Sequence, residues 1–146
     1  MPIRKRGEYD YLGVLGEYVT FPSLATLVFD RAQTGGSIFV EAPVTIKAGG
    51  VDKTGGGAAS GQSILGKLIL LEQDGAANVQ VKGFMRFRYD GTFTAAMVGQ
   101  PIVSGAVEST VRVPVAATPA EVVAASGKIV VEWPVGGGVS DVWVLF

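Results

Sequence analysis

Between Ser63 and Tyr89 the chain reads SILGKLILLEQDGAANVQVKGFMRFRY, two apolar-rich runs joined at Asp74-Gly75. Asp-Gly tolerates the positive φ of a tight hairpin turn, so the stretch predicts two antiparallel strands. After the turn, Val79, Val81, Gly83, Met85, Phe87 and Tyr89 share one face. Asn78, Gln80, Lys82, Arg86 and Arg88 share the other, with Phe84 as the large apolar exception. A period of two arises from the pleat of a strand, and a helix would scatter the same residues around its axis. A second Asp-Gly, at 90–91, ends the run.

Further stretches carry the same period. Over residues 37–48, SIFVEAPVTIKA sets Ile38, Val40, Ala42, Val44, Ile46 and Ala48 against Ser37, Glu41, Thr45 and Lys47. Pro43 lacks a ladder donor, which predicts an edge strand or a bulge there. Val107 to Val115 alternates too, and KIVVEW and DVWVLF, joined by PVGGGVS, predict a closing hairpin that carries the end of the chain into a sheet. Nearer the start, strands are expected around Glu17–Phe21 and Thr26–Phe29. TPAEVVAASG is the one helix signal: Thr118 as N-cap, Pro119 at the first helical position, Glu121 completing a capping box and Gly127 as the stop.

These elements predict an all-β fold, a mainly antiparallel barrel or sandwich with one short helix over 119–126. With 146 residues and no dividing linker, a single domain spanning 1–146 is expected. Its unusual parts are a short basic N-terminal arm, about 1–7, and a glycine-rich loop at 48–62. That loop is expected to be an unstructured excursion, mobile alone or ordered by an adjacent subunit. The 21 glycines favour a turn-rich β protein over a helical bundle.

Chemistry is limited by what is missing. The sequence has no cysteine and no histidine, which removes disulfides, thiolate nucleophiles, the usual zinc ligands and imidazole bases. The formal net charge of −1 is too near neutral for a general nucleic-acid binder. No apolar run is long enough for a transmembrane helix, and MPIRKRGEYDYLG does not read as a secretory signal.

Residues 61–68, GQSILGKL, come close to the phosphate loop G-x-x-x-x-G-K-[ST]. Gly61, Gly66 and Lys67 fit, but Leu68 stands where a hydroxyl should hold magnesium, and a strand follows where a helix should open. Glu41, Glu72, Glu108 and Glu132 are the candidate carboxylates of an enzyme, and each is expected on a solvated strand face or near a turn. Lys82, Arg86 and Arg88, with Phe84 between them, form a basic and aromatic strip. It suits an acidic partner, protection of a strand edge, or single-stranded nucleic acid. Arg4, Lys5 and Arg6 are either a frayed terminus or an arm that orders on an acidic partner. Trp133 and Trp143 are expected in the core or at a subunit interface, where tryptophan is enriched.

The arrangement VQVKGFMRFRYDGTFTAAMVGQPIV resembles that of the small head decoration, or capsid cement, proteins of tailed bacteriophages. The likeness lies in a V-x-V-x-G strand, the return Gly99-Gln100-Pro101-Ile102-Val103, and the late strand Val142-Trp143-Val144-Leu145. It covers about the C-terminal two thirds of the chain. The resemblance implies a non-enzymatic virion protein, made in the host cytoplasm, that binds the exterior of an expanded capsid. Such proteins commonly act as homotrimers that staple neighbouring copies of the major capsid protein. Arg4, Lys5, Arg6, Lys82, Arg86 and Arg88 are then the capsid-binding candidates, and Trp133, Trp143 and Phe84 the subunit-interface candidates. No cofactor, metal or membrane is expected, and nucleic acid is the less favoured partner. A tail, neck or fibre component binding a receptor or glycan is the alternative.

Overall fold

The structure, a computed structural model, describes residues 16–27, 42–72, 74–133 (for 131–133 the backbone alone) and 141–146. Arg4, Lys5, Arg6, Glu41 and the side chains of Glu132 and Trp133 lie outside the described residues, as does the 134–140 connection. The elements run β1 (Glu17–Pro22), β2 (Pro43–Lys47), β3 (Gly50–Lys53), β4 (Gly66–Leu71), β5 (Ala76–Lys82), β6 (Phe84–Arg88), β7 (Val103–Ser104), β8 (Val111–Arg112), α1 (Pro119–Ala124), β9 (Lys128–Trp133) and β10 (Asp141–Leu145). They form a five-stranded sheet of order β1-β5-β4-β2-β3, a three-stranded sheet of order β6-β10-β9, and the pair β7-β8. Every ladder between named strands is antiparallel.

Among the described residues the fold is therefore all-β with one short helix, as expected, and between barrel and sandwich it falls to the sandwich-like side. The first sheet curls until Leu24 N–H reaches the Val51 carbonyl at 2.9 Å, beside a single Ser23–Val51 bridge, and does not close. Each large sheet has its own core. Val44, Val51, Leu68, Leu71, Ala77 and Val79 fill the first; Met85, Phe87, Tyr89, Ile102, Val111, Ile129, Val142 and Val144 fill the second.

The β4–β5 hairpin forms around Asp74-Gly75 as the sequence predicts. Gly75 has φ +90°, and the Asp74 carboxylate accepts the Ala76 N–H at 3.0 Å. The long alternating run after it belongs to two sheets. At Gly83, with φ +100°, the chain leaves the first sheet as β5 and enters the second as β6. Gly83 also exchanges backbone hydrogen bonds with Phe146, at 3.1 and 3.4 Å. The buried Gln80 amide donates to the carbonyls of Lys82 and Phe84, at 3.0 and 3.2 Å, and so satisfies acceptors on both sides of the switch.

Several expectations are corrected. Pro43 is neither at an edge nor at a bulge: it opens β2, an interior strand, where a missing donor is tolerated. Ile46 shares its face with Val44 but lies at the hairpin tip, past the end of the core, and is 56 % exposed. The 107–115 alternation yields only the two residues of β8, because the chain turns back over 105–110. There Gly105 N–H meets the Thr110 carbonyl at 2.9 Å, the Asp90 carboxylate takes the Ala106 N–H at 2.7 Å, and Ser109 adopts φ +65°.

The glycine-rich stretch contains β3 and is ordered by its own chain. Gly56, Gly57 and Gly61 donate backbone N–H groups to the carbonyls of Gly105, Ala106 and Ser104 at 2.9–3.3 Å. The Ser104 hydroxyl accepts from Gln62 N–H and donates to the Ala59 carbonyl, each at 2.8 Å. The helix starts at Pro119 as expected but ends at Ala124, with Ala125 already extended. Thr118 makes no side-chain cap: the Glu121 N–H donates to the Thr118 carbonyl at 3.0 Å and the Thr118 N–H to the Val115 carbonyl at 2.9 Å.

Candidate protein-binding face

The phosphate-loop near-match has the wrong geometry. Gly66 opens β4 so close to β5 that a Cβ there would collide with the Gln80 carbonyl. The Gly61 N–H is spent on Ser104, and Lys67 sits within a sheet ladder between Pro43 and Gln80. The motif leads into strand β4 instead of a helix, and the Glu121 carboxylate lies against Gly61, so the place that should cradle an anion already faces one.

Two of the four candidate carboxylates, Glu72 and Glu108, are described with their side chains. Glu72 is exposed, and Glu108 pairs with Lys53 at 3.0 Å. Among the described residues the two most firmly held carboxylates are others: Glu121, which the sequence offers only as half of a capping box, and Asp52, which it does not single out. Glu121 takes a two-pronged contact from Arg112, at 2.6 and 2.9 Å, and the Val115 N–H at 2.8 Å. The Arg112 fork, followed by that amide, holds the Glu121 carboxyl at about 2. Arg112 also reaches the Ser60 hydroxyl at 3.1 Å, so one guanidinium ties α1, β8 and the glycine-rich loop together.

Asp52 is the second. Burial pushes its carboxyl up, but hydrogen bonds from Lys47, Thr26 and the Lys53 amide, each 2.8 Å, outweigh that and hold it below the usual range. Both groups stay ionised at neutral pH and act as acceptors, which suits a structural pin rather than a proton donor. Ser109 is buried and its hydroxyl has no hydrogen-bond partner, so no base activates it as a nucleophile. Among the described residues no cluster of His, Cys, Asp and Glu could hold a metal ion.

The aromatic and basic residues do come together. In the second sheet Val142 and Val144 of β10 turn inward with Met85 and Phe87 of β6, which sends their neighbours outward. The register then builds three rows on the outer face: Phe84 opposite Leu145 opposite Lys128, Arg86 opposite Trp143, and Arg88 opposite Asp141. Directly opposed side chains on one face lie about 5 Å apart, so each row is a contact set. Phe84 and Trp143 are half-buried, Leu145 is 44 % exposed, and Val130, at the β9 bulge, is 41 % exposed. Arg86 Nε lies 3.4 Å from the Asp141 carboxylate, while Arg88 and Lys128 make no ion pair among the described residues.

Of the residues singled out from the sequence, Phe84, Arg86, Arg88 and Trp143 therefore share one surface. Trp143 lies on the outer face rather than in either core. Trp133 is placed by its backbone alone, opposite Asp141 at the end of the same sheet. Lys82 is separated from the others: it ends β5 in the first sheet and lies 3.8 Å from Glu17. Leu145, Lys128 and Val130 complete the surface and escaped sequence reasoning. Only the pairing of β10 with both β6 and β9 brings them beside Phe84 and Trp143. Comparison of the chain with protein-family models, with curated proteins and with solved structures gave no match.

Proposed function

We propose that this chain is a non-enzymatic structural protein of a tailed-phage particle, one that binds the capsid exterior and cements neighbouring copies of the major capsid protein. The observation that carries the reading is the outer face of the second sheet. Half-buried Trp143 and Phe84 stand there with exposed Leu145 and Val130 beside arginines, and tryptophan and arginine are residue types on which protein–protein binding energy concentrates. The resemblance of residues 79–103 and 142–145 to capsid cement proteins supplies the particle and the expected homotrimer. A trimer that engages several capsid subunits at once turns modest single contacts into tight attachment.

The test is co-sedimentation of the purified chain with expanded capsid shells that lack it, together with its mass in solution. The expected result is a trimer that binds the shells and raises their resistance to heat. A monomer that leaves the shells unbound overturns the proposal.

The outward-facing, half-buried Trp143 and Phe84 favour a second reading as well, since a flat aromatic surface also suits sugar rings. A tail, neck or fibre component would use it on a receptor or glycan. Labelled antibody on intact particles separates the two: labelling over the whole head supports cement, and labelling at one end supports the tail.

A further inference from the structure

We infer that the outer face of the β6-β10-β9 sheet docks an acidic protein surface, one that presents apolar side chains between two flanking groups of carboxylates. The inference deepens the protein-binding reading above by naming the chemistry of the partner, and rests on it. Its warrant is how charge is distributed across the sheet. The middle strand, β10, offers Trp143 and Leu145 as an apolar centre. One edge strand carries Arg86 and Arg88; the other carries Lys128. Neighbouring strands lie about 4.8 Å apart and Lys128 stands in the Phe84–Leu145 row, so it lies diagonally across that centre, about 12 Å from Arg86 and about 17 Å from Arg88. Along β6 the two arginines are about 7 Å apart. The sole described anion on the face, Asp141, sits at one end and lies near Arg86 across a loose 3.4 Å contact, which a partner carboxylate can replace.

Alternative occupants fit worse. A second copy docked face to face would set arginine and lysine against arginine and lysine, a like-charge arrangement that opposes association. A single-stranded nucleic acid could stack on Trp143 and Phe84, but Leu145 and Val130 offer it neither a ring nor a charge, and a formal net charge of −1 gives phosphates little attraction. An acidic protein surface with aliphatic or aromatic side chains satisfies the borders and the centre together.

The test is an NMR titration of the full chain with three probes: a ten-residue peptide with Leu-Phe pairs set between glutamates, polyglutamate of equal charge, and a thymidine oligonucleotide. The expected result is that the mixed peptide moves the amide signals of Phe84, Arg86, Arg88, Lys128, Trp143 and Leu145, and binds more tightly than polyglutamate. Arg86→Glu with Arg88→Glu should weaken it at least tenfold, as should Lys128→Glu taken with Arg88→Glu. Lys82→Glu, on the other sheet, should leave it unchanged.

Peptide-induced shifts that avoid the face overturn the inference. So does tighter binding of the oligonucleotide there, which would assign the face to nucleic acid. Shifts at the same amides that depend on protein concentration alone would assign it to a second copy. Because no capsid shell enters this experiment, its failure is distinguishable from failure of the capsid reading.

Discussion

Glu121 and Arg112 show how far one contact can reach in a small β protein. Free, the Glu121 carboxyl titrates at 4.5, and held by Arg112 and the Val115 amide it titrates at about 2. The unfolded chain therefore binds its proton first as pH falls, so the pair stabilises the fold fully above 4.5 and loses that contribution on the way down to 2. Wild type and Glu121→Gln should differ in urea midpoint by a constant gap at neutral pH, and the gap should close across that window. A gap that stays constant to pH 2 would show that ionisation of Glu121 contributes nothing. Gly83 makes a different demand, on backbone geometry. At φ +100° a side chain costs about 1–2 kcal/mol, so Gly83→Ala should lower unfolding free energy by that amount in a urea titration. The neighbours Phe87 and Arg88 test the two faces of one strand. Phe87→Ala empties a fully buried site and should cost about 3–5 kcal/mol, whereas Arg88→Gln should stay within about 0.5 kcal/mol.

At the scale of elements, the loop over 55–61 behaves as part of the scaffold. Its backbone bonds to Ser104, Gly105 and Ala106 and the reach of Arg112 to Ser60 give it partners on β7, β8 and the turn between them. Replacing 55–61 with a shorter serine-glycine linker should therefore lower the melting temperature, and unchanged melting would show that the loop is a spacer. This loop also marks where sequence reasoning stops. The β4–β5 hairpin was legible because Asp74-Gly75 states its turn locally. The switch at Gly83 was not, because alternation continues unbroken on both sides of it while the sheet changes. Glu121 was read as half of a capping box, since its sequence neighbours allow that, and its true partner stands nine positions back on another element. The candidate face was half legible for the same reason. Phe84, Arg86 and Arg88 lie on one strand and show their period, but Trp143, Leu145 and Lys128 join them only through long-range pairing.

For the molecule as a whole, two separate cores raise the question of whether the sheets unfold together. The continuous β5–β6 passage, with Gln80 and Phe146 bonded around Gly83, couples them, so tryptophan fluorescence and far-UV circular dichroism should report one coincident transition. Both tryptophans lie in β9 and β10, which makes fluorescence a reporter of the second sheet alone; transitions that separate would show that the sheets are independent. The order of that second sheet has a consequence during synthesis. Among the described residues β6 has no neighbour but β10 in its sheet, and β10 follows it by about fifty residues. At ordinary elongation rates β6 waits roughly 3–10 seconds outside the ribosome with its Phe-Met-Arg-Phe-Arg stretch unpaired. Arg86 and Arg88 interrupt the apolar run during that interval, and charges so placed oppose the zipping together of two nascent chains, so the cations of the candidate face would also guard the chain before it has a face.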